Sequence, residues 1–286
     1  MGFCGIITMY TFVNAPILEV QKMKKIVLIL LAALLALSVC ACTAKEEDPS
    51  NIDDYAAPDF THKITTGTLE FEEGHAESAV ITGYTGLSTP HTVKIPNEVG
   101  EREVSGIGEN AFYHLSTVKA IELPETVTFI GKNAFAGCTA LETIVIPASV
   151  TYIDAYAFAK CTSLKSVVFK GKAVTEIRDF AFIGCSALET IVLPEGLESI
   201  GKEAFSGCSA IKAIKTPTTL KSIDNLAFYQ CPGLNADGAL ELTASITEIG
   251  EFAFSGINKK YIKAPEGSYA ADYVSKMADE AETEEK

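Results

Sequence analysis

Short apolar segments alternate with polar turns at a nearly constant interval along most of this chain. Most of the apolar segments are strand-like and end in proline, as in AIELP (120–124), TIVIP (143–147), TIVLP (190–194) and AIKTP (213–217). Because side chains alternate across a strand, Ile144 and Ile146 are expected to point into a core and Val145 outward. The pattern therefore predicts a row of short strands, each with one buried face.

The dipeptide Ala-Phe follows each segment at a period of 23, 23, 24, 23, 23 and 26 residues. Its phenylalanines are Phe112, Phe135, Phe158, Phe182, Phe205, Phe228 and Phe254. One such unit is too small to bury its own apolar face, so neighbouring units must stack. We expect a repeat solenoid whose strands pair in parallel, with the Ala-Phe turns covering the other side.

A glycine follows an isoleucine upstream of most Ala-Phe pairs, as in Gly131 and Gly201. A glycine that recurs at a corner suggests a tight, left-handed backbone. Asp154 and Asp224 tolerate that conformation, whereas Arg178 at the same place fits it less naturally. The sequence thus predicts a left-handed corner at this position.

The repeat, approximately L-x-x-I-x-I-P-x-x-V-x-x-I-G-x-x-A-F-x-x-C-x-x, closely resembles the BspA-like, or treponemal-type, leucine-rich repeat. The resemblance extends from about Ile81 to Pro265. It implies a leucine-rich-repeat solenoid with a parallel β-sheet and short helical or irregular turns. BspA-like proteins are associated with attachment to host or matrix proteins and to other cells, so the resemblance implies binding and not catalysis.

The start of the chain carries features of an export signal. Lys24 and Lys25 precede an uncharged apolar run of 14 residues, 26–39, which is short for a membrane-spanning helix. The following Val39-Cys40-Ala41-Cys42 resembles the lipobox of bacterial lipoproteins, which implies that Cys42 is acylated and becomes the N-terminus. Cys40 is the competing acceptor, although Val39 before it is larger than the residue usual there.

These features divide the chain into five segments. We assign residues 1–42 to a signal peptide whose true start is Met23, and the acidic residues 43–57 to a flexible tether. A β-rich N-terminal cap is predicted at 58–105 and the repeats at 106–262. A short helical C-terminal cap with a frayed tail follows at 263–286.

The charge of the chain narrows the classes of function. The formal net charge is −14, and no basic cluster follows the signal segment, so nucleic-acid binding is not expected. No G-x-S-x-G, P-loop, GxGxxG or HExxH motif occurs. We therefore expect no catalytic residue, no cofactor and no enzymatic activity.

A cysteine stands three residues after five of the phenylalanines. These are Cys138, Cys161, Cys185, Cys208 and Cys231. Equivalent positions in successive coils form one internal column, and free cysteine is a readily buried, weakly polar side chain. We predict a buried thiol ladder without disulfides, and no metal site, because the C-x₂₋₄-C pairs of zinc sites are missing.

The outward positions of the strands form the candidate binding face, which is uncharged at its centre. Its residues are Val145, Val168, Val192, Thr143, Ser166 and Thr190. An exposed apolar stripe can mark a contact surface, although valine also simply suits exposed parallel strands. The expected partner is a protein or glycoprotein, with the membrane contacted through the lipid anchor only.

Two functions are compatible with this sequence. The first is a cell-surface, lipid-anchored binding or adhesion protein of the bacterial envelope, exposed to the outside. The second is a structural or accessory envelope lipoprotein in a complex that handles glycans or peptides.

Overall fold

Two rows of short strands run along the part of the chain that this computed structural model describes, residues 67–73, 78–86, 91–236 and 238–277. These residues belong to one compact unit, Ala56–Lys286. The predicted signal segment, the acidic tether and both candidate lipidation cysteines lie outside the described residues.

The first row, which we call the front row, contains one strand from each coil. Its members are β3 (His91–Lys94), β6 (Val118–Glu122), β8 (Thr143–Ile146), β10 (Ser166–Phe169), β12 (Thr190–Ile191), β14 (Ile214–Lys215), β16 (Leu240–Glu241) and β18 (Ile262–Lys263). Neighbours pair in parallel, with one interruption between β12 and β14. Ile144 and Ile146 are fully buried and Val145 is half-buried, which confirms the predicted alternation.

The second row, the back row, forms one continuous ten-stranded sheet. It contains β1 (Gly67–Glu73), β2 (Ser78–Gly86), β4 (Glu98–Val99), β5 (Arg102–Ile107), β7 (Phe129–Ile130), β9 (Tyr152–Ile153), β11 (Glu176–Ile177), β13 (Ser199–Ile200), β15 (Ser222–Ile223) and β17 (Glu248–Ile249). From β7 onward each strand has two residues, and the second is a buried isoleucine. Such strands are too short for the hydrophobic pattern to predict them.

The Ala-Phe turns stack beside these two rows and also bond coil to coil. The Phe135 N–H donates to the Ala157 carbonyl at 2.7 Å, and the Phe158 N–H donates to the Ala181 carbonyl at 2.7 Å. All seven phenylalanines are fully buried, and the ring centroids of neighbours lie 5.1–5.9 Å apart. The turns therefore form a third hydrogen-bonded column around a continuous aromatic stack.

Tyrosines close the two ends of this stack. The Tyr84 ring lies 5.5 Å from Phe112, and the Tyr273 ring meets Phe254 edge-on at 6.0 Å. The Tyr273 hydroxyl donates to the Gly250 carbonyl at 2.9 Å, so its polar end is hydrogen-bonded at the edge of the core. Each terminal phenylalanine is thus covered by a residue from outside the repeats.

The prediction of a left-handed corner at the recurrent glycine is wrong. Gly131 and Gly201 do not have positive φ, and the left-handed residues lie two positions later, immediately before Ala-Phe. They are Asn110, Asn133, Tyr156, Phe180, Glu203, Leu226 and Phe252, with φ between 51° and 62°. Glycine is required for space instead, since a Cβ on Gly201 would lie 2.5 Å from the Asp179 carboxylate.

The ends of the described unit confirm the predicted fold class, a leucine-rich-repeat solenoid with a β-rich start and a helical end. At the start, β1 and β2 pair antiparallel, and β3 already joins the front row. Because β2 also pairs in parallel with β5, stacking begins near residue 78, within the segment assigned to the N-terminal cap. At the end, helix α1 (Tyr269–Lys276) begins after Ser268, whose hydroxyl accepts a hydrogen bond from the Ala271 N–H.

Helix is otherwise limited to two 3-10 turns, Pro232–Leu234 and Lys259–Tyr261, in the described ranges. No helix there has the length and apolar character needed to cross a membrane.

Candidate functional site

The front row brings the six predicted face residues together. The register aligns Thr143, Ser166 and Thr190 in one column and Val145 with Val168 in the next. Val192 follows β12 directly and is 81% exposed, whereas Val168 is 47% exposed. Because parallel strands lie about 4.8 Å apart, the valines form a closely spaced apolar stripe, which we call the valine stripe (Val145, Val168 and Val192).

Hydroxyl groups line one side of the valine stripe. The Ser166 hydroxyl donates to the Thr143 hydroxyl at 3.3 Å, while Thr143 and Thr190 are exposed. The face therefore offers methyl groups beside groups that both donate and accept hydrogen bonds.

Charged residues of the front row are paired from one coil to the next. The ammonium–carboxylate distances are 3.6 Å for Lys94–Glu122, 2.9 Å for Lys165–Glu142 and 3.9 Å for Lys215–Glu241, and Lys212 also contacts Glu189. The hydrogen bond from Lys165 lowers the pKa of Glu142, and that from Lys212 lowers the pKa of Glu189.

Such exposed pairs contribute little to stability, about 0–1 kcal/mol each. Their effect here is on the charge of the surface. In a protein with a net charge of −14, the pairs leave a face whose charges largely cancel around an apolar centre.

The front row is interrupted at one position, which we call the seam, between β12 and β14. These two strands do not pair, and the strands beyond the seam form a separate sheet in the order β14-β16-β18. An open cavity of about 310 Å³ lies there, lined by Ile191, Val192, Ala213 and Ile214. The sequence gives a weak signal of this difference, since AIKTP replaces the more apolar TIVLP of the preceding coil.

The back row carries an aromatic column that the sequence analysis did not single out. Phe129 and Tyr152 are stacked with centroids 5.8 Å apart, and the Arg178 guanidinium lies 4.8 Å from the Tyr152 ring centre. Arg178 also donates to Glu176 and Asp154, each at 3.1 Å, and these bonds raise its pKa. The ring faces are therefore occupied by neighbours of the same protein, and this surface has a structural role.

The five cysteines of the repeats are buried and free, at equivalent places in successive coils. Each thiol donates to the carbonyl of the phenylalanine one coil earlier, as Cys138 does to Phe112 at 3.1 Å and Cys231 to Phe205 at 3.2 Å. Burial raises the pKa of Cys231 to about 12 and that of Cys138 further. Protonated thiols of this kind are unreactive, and they satisfy backbone acceptors in the core.

Metal ligation finds no support in the described part of the chain. No group of three or more His, Cys, Asp or Glu side chains there is arranged to hold an ion. The arrangement can present to another molecule a surface with an uncharged centre and paired charges beside it.

The sequence of the repeats matches a known family. Residues 91–187 match the model of the BspA type leucine rich repeat region, in six copies. A comparison with curated protein sequences finds no match.

Several solved bacterial structures are similar to this chain. The leucine-rich repeat protein of T. pallidum is 27% identical over 72% of this chain and 92% of that protein, with a TM-score of 0.62. A leucine-rich cell surface protein of Faecalibacterium prausnitzii A2-165 is 30% identical over 70% of this chain and 53% of that protein, with a TM-score of 0.58.

A leucine-rich repeat protein of Eubacterium ventriosum ATCC 27560 is 29% identical over 66% of this chain, with a TM-score of 0.56. The chain covers 48% of that protein. It therefore spans about half the length of the Faecalibacterium and Eubacterium proteins.

Proposed function

The repeat region of this chain belongs to the BspA-type leucine-rich repeat family, and from this premise we propose that the protein binds a protein ligand at a bacterial cell surface. The similar Faecalibacterium protein, a leucine-rich cell surface protein, supports the location. The proposed role is recognition, because the front row offers an exposed surface with an apolar centre.

One observation carries the proposal of a binding face. Within the valine stripe, Val168 and Val192 are exposed and Val145 is half-buried, on the front row of a protein whose net charge is −14. The charges beside the stripe are paired. Exposed apolar patches with polar rims are typical of contact surfaces. A ligand with an uncharged apolar patch would meet little electrostatic repulsion on this face.

The decisive experiment adds charge to the valine stripe of the full-length protein. The test variant replaces its three residues together, with Val145→Lys, Val168→Lys and Val192→Lys. Binding is measured against a panel of purified extracellular matrix and plasma proteins and, in parallel, against a glycan array. We expect at least one protein of the panel to bind, and the variant to lose that binding with its melting temperature nearly unchanged.

A matched control adds the same charges beside the back row, at exposed threonines of equivalent coils. It carries Thr128→Lys, Thr151→Lys and Thr175→Lys. Equal loss of binding in both variants would show that net charge, and not the valine stripe, decides binding. Binding to glycans alone would favour the accessory role in a glycan-handling envelope complex.

We also propose that Cys42 carries a lipid that anchors the chain, as its lipobox-like sequence suggests. Several acyl chains on one residue would hold the protein stably on a membrane. After expression of the full chain in a bacterium fed with labelled palmitate, Cys42→Ala should lose the label and leave the membrane fraction. Cys40→Ala is the matched control; loss of label in that variant alone would assign the anchor to Cys40.

A further inference from the structure

The seam interrupts pairing on the front row only. On the back row, β13 and β15 of the same two coils pair in register, Ser199 with Ser222 and Ile200 with Ile223. On the front row, the Lys212 N–H still reaches the Glu189 carbonyl at 3.3 Å. Beyond Lys212 the strands β12 and β14 do not pair, and β14 pairs with β16 of the next coil only.

A buried hydroxyl group adds hydrogen bonds between β14 and the following coil. Thr216 is 1% exposed and stands where other coils have a leucine or an isoleucine, such as Leu193. Its hydroxyl donates to the Glu241 carbonyl at 3.3 Å and accepts from the Thr243 N–H at 2.9 Å. These bonds connect β14 to the following coil, because a buried hydroxyl must be satisfied.

The cavity at the seam continues the valine stripe. Val192 belongs to both, and Ala213 is the other exposed apolar side chain of the lining, whereas Ile191 and Ile214 also line the cavity but are buried. Lys215 and Glu241 stand at the rim, 3.9 Å apart. A volume of about 310 Å³ lies at the small end of the range for ligand cavities, about 300–1,000 Å³. It suits one side chain better than a cofactor.

We propose that this cavity anchors the ligand of the valine stripe by accepting one branched aliphatic side chain, leucine or isoleucine, from an uncharged segment of a protein partner. The apolar walls select an aliphatic group. The paired charges around them, Lys215 with Glu241 and Lys212 with Glu189, give neither an acidic nor a basic segment an advantage. This inference rests on the proposed function and names the chemistry of its partner.

Short peptides test the cavity itself, with the full-length protein observed through its methyl resonances. The probes are acetyl-Gly-Leu-Gly-amide and acetyl-Gly-Ala-Gly-amide. The leucine peptide should shift the methyl signals of Val192 and Ala213 saturably, since these are the exposed apolar side chains of the lining. It should bind at least about tenfold more tightly than the alanine peptide, a difference of about 1.4 kcal/mol. Its affinity should change little between about 0.05 and 0.5 M NaCl, since no net charge is neutralised.

Two leucine substitutions distinguish the seam from the rest of the front row. Ala213 is exposed and lines the cavity, so Ala213→Leu should fill the cavity. The variant should bind the leucine peptide at least about tenfold more weakly than the wild type does. Ala120 occupies the same repeat position on an intact pair of strands, so Ala120→Leu should leave the peptide affinity unchanged. Val192→Ser, which removes one wall of the cavity, should behave as Ala213→Leu does.

Equal affinity of wild type and Ala213→Leu for the leucine peptide would overturn the inference, as would equal affinity for the leucine and alanine peptides. Failure of the proposed function looks different. Suppose that a protein of the panel binds to the wild type and to Ala213→Leu but not to the triple lysine variant. The seam is then not the anchor, and the proposed binding face is supported. If the leucine peptide binds at the seam while no protein of the panel binds, then the proposed function fails alone.

Discussion

The two rows of strands are built from the same coils, yet only the back row is continuous. From β7 onward its two-residue strands each bury one isoleucine beside the phenylalanine stack, and the parallel pairing of the whole row continues from β2 to β17. The front row has longer strands at β6, β8 and β10, and it divides at the seam. Strand length therefore does not decide where neighbouring coils pair, because two-residue strands pair along the back row from β7 onward and again at β14, β16 and β18.

This difference indicates how the two sides divide their roles. The back row and the turns are held by residues that recur in nearly every coil, namely isoleucine, Ala-Phe and cysteine. The outward residues of the front row change from charged to apolar and back along the coils, from Glu122 through the valine stripe to Lys215. The back row and the turns, whose residues recur from coil to coil, support the stack. The outward positions of the front row, whose residues vary, are available for recognition.

The largest expected effect is the loss of one ring from the phenylalanine stack. Phe182→Ala removes a fully buried ring with stacked neighbours on both sides, and should lower the free energy of unfolding by about 3–5 kcal/mol. Phe252→Ala is the control, because Phe252 is 64% exposed and should cost less than about 0.5 kcal/mol. Urea denaturation measures both, and equal costs would contradict the role given to the stack.

Amide hydrogen exchange compares the two rows within one pair of coils. The Lys212 N–H spans the seam to Glu189 at 3.3 Å, whereas the Lys221 N–H links the same coils on the back side, to Glu198, at 2.8 Å. We expect the Lys212 amide to exchange about a hundredfold faster, a difference of about 2.7 kcal/mol in opening free energy. The Lys165 amide, bonded to Glu142 at 2.8 Å, is the intact front-row reference. Similar rates for Lys212 and Lys165 would mean that the seam is not a weak point.

Alkaline pH should weaken the stack through its buried thiols. Burial raises the pKa of Cys231 from its ordinary 9.0 to about 12, so an unfolded chain loses this proton first. The contribution of the Cys231 thiol to the free energy of unfolding is fully present below pH 9. It is lost as the pH rises towards 12, at up to about 1.4 kcal/mol per pH unit. Cys231→Ala should therefore show a shallower fall in unfolding free energy between pH 9 and 11 than the wild type. Parallel curves for the two proteins would indicate that the coil beyond the seam does not enclose this thiol.

The smallest expected effect concerns the left-handed residue before Ala-Phe. Glu203 has a φ of 51°, which costs a residue with a Cβ about 1–2 kcal/mol. Glu203→Gly removes that strain but adds freedom to the unfolded chain, so a net gain of about 0.5–1 kcal/mol is expected. At Lys202, where φ is not positive, the same change to glycine should instead cost about 0.5–1 kcal/mol. Thermal denaturation of both variants decides the sign.

The features that could be predicted from the sequence are those in which a large side chain recurs at the same position of each repeat. Ile144 and Ile146 fall inside and Val145 faces outward because a four-residue strand is long enough to show alternation. The phenylalanine and cysteine columns follow from their period alone. A two-residue strand such as Ser199–Ile200 shows no alternation, so the back row stayed hidden.

Two other features depend on contacts between coils that no single repeat displays. Gly201 leaves space for Asp179 of the preceding coil. The sequence does not distinguish a glycine that is required for space from one that is required for a left-handed backbone. At the seam, Thr216 bonds to Glu241 and Thr243, which lie 25 and 27 residues away. Neither interaction is visible in a pattern of hydrophobic positions.

Because every inner ring of the stack has an equivalent ring on each side, coils are interchangeable units of length. Excision of residues 136–158 would join Phe135 to Ala159, which restores the Ala-Phe-Ala sequence and shortens the molecule by one spacing of about 4.8 Å. Tyr84 and Tyr273 would still terminate both ends. The distance over which this protein reaches can thus be adjusted in whole steps, by gene duplication or by engineering, without redesign of its ends.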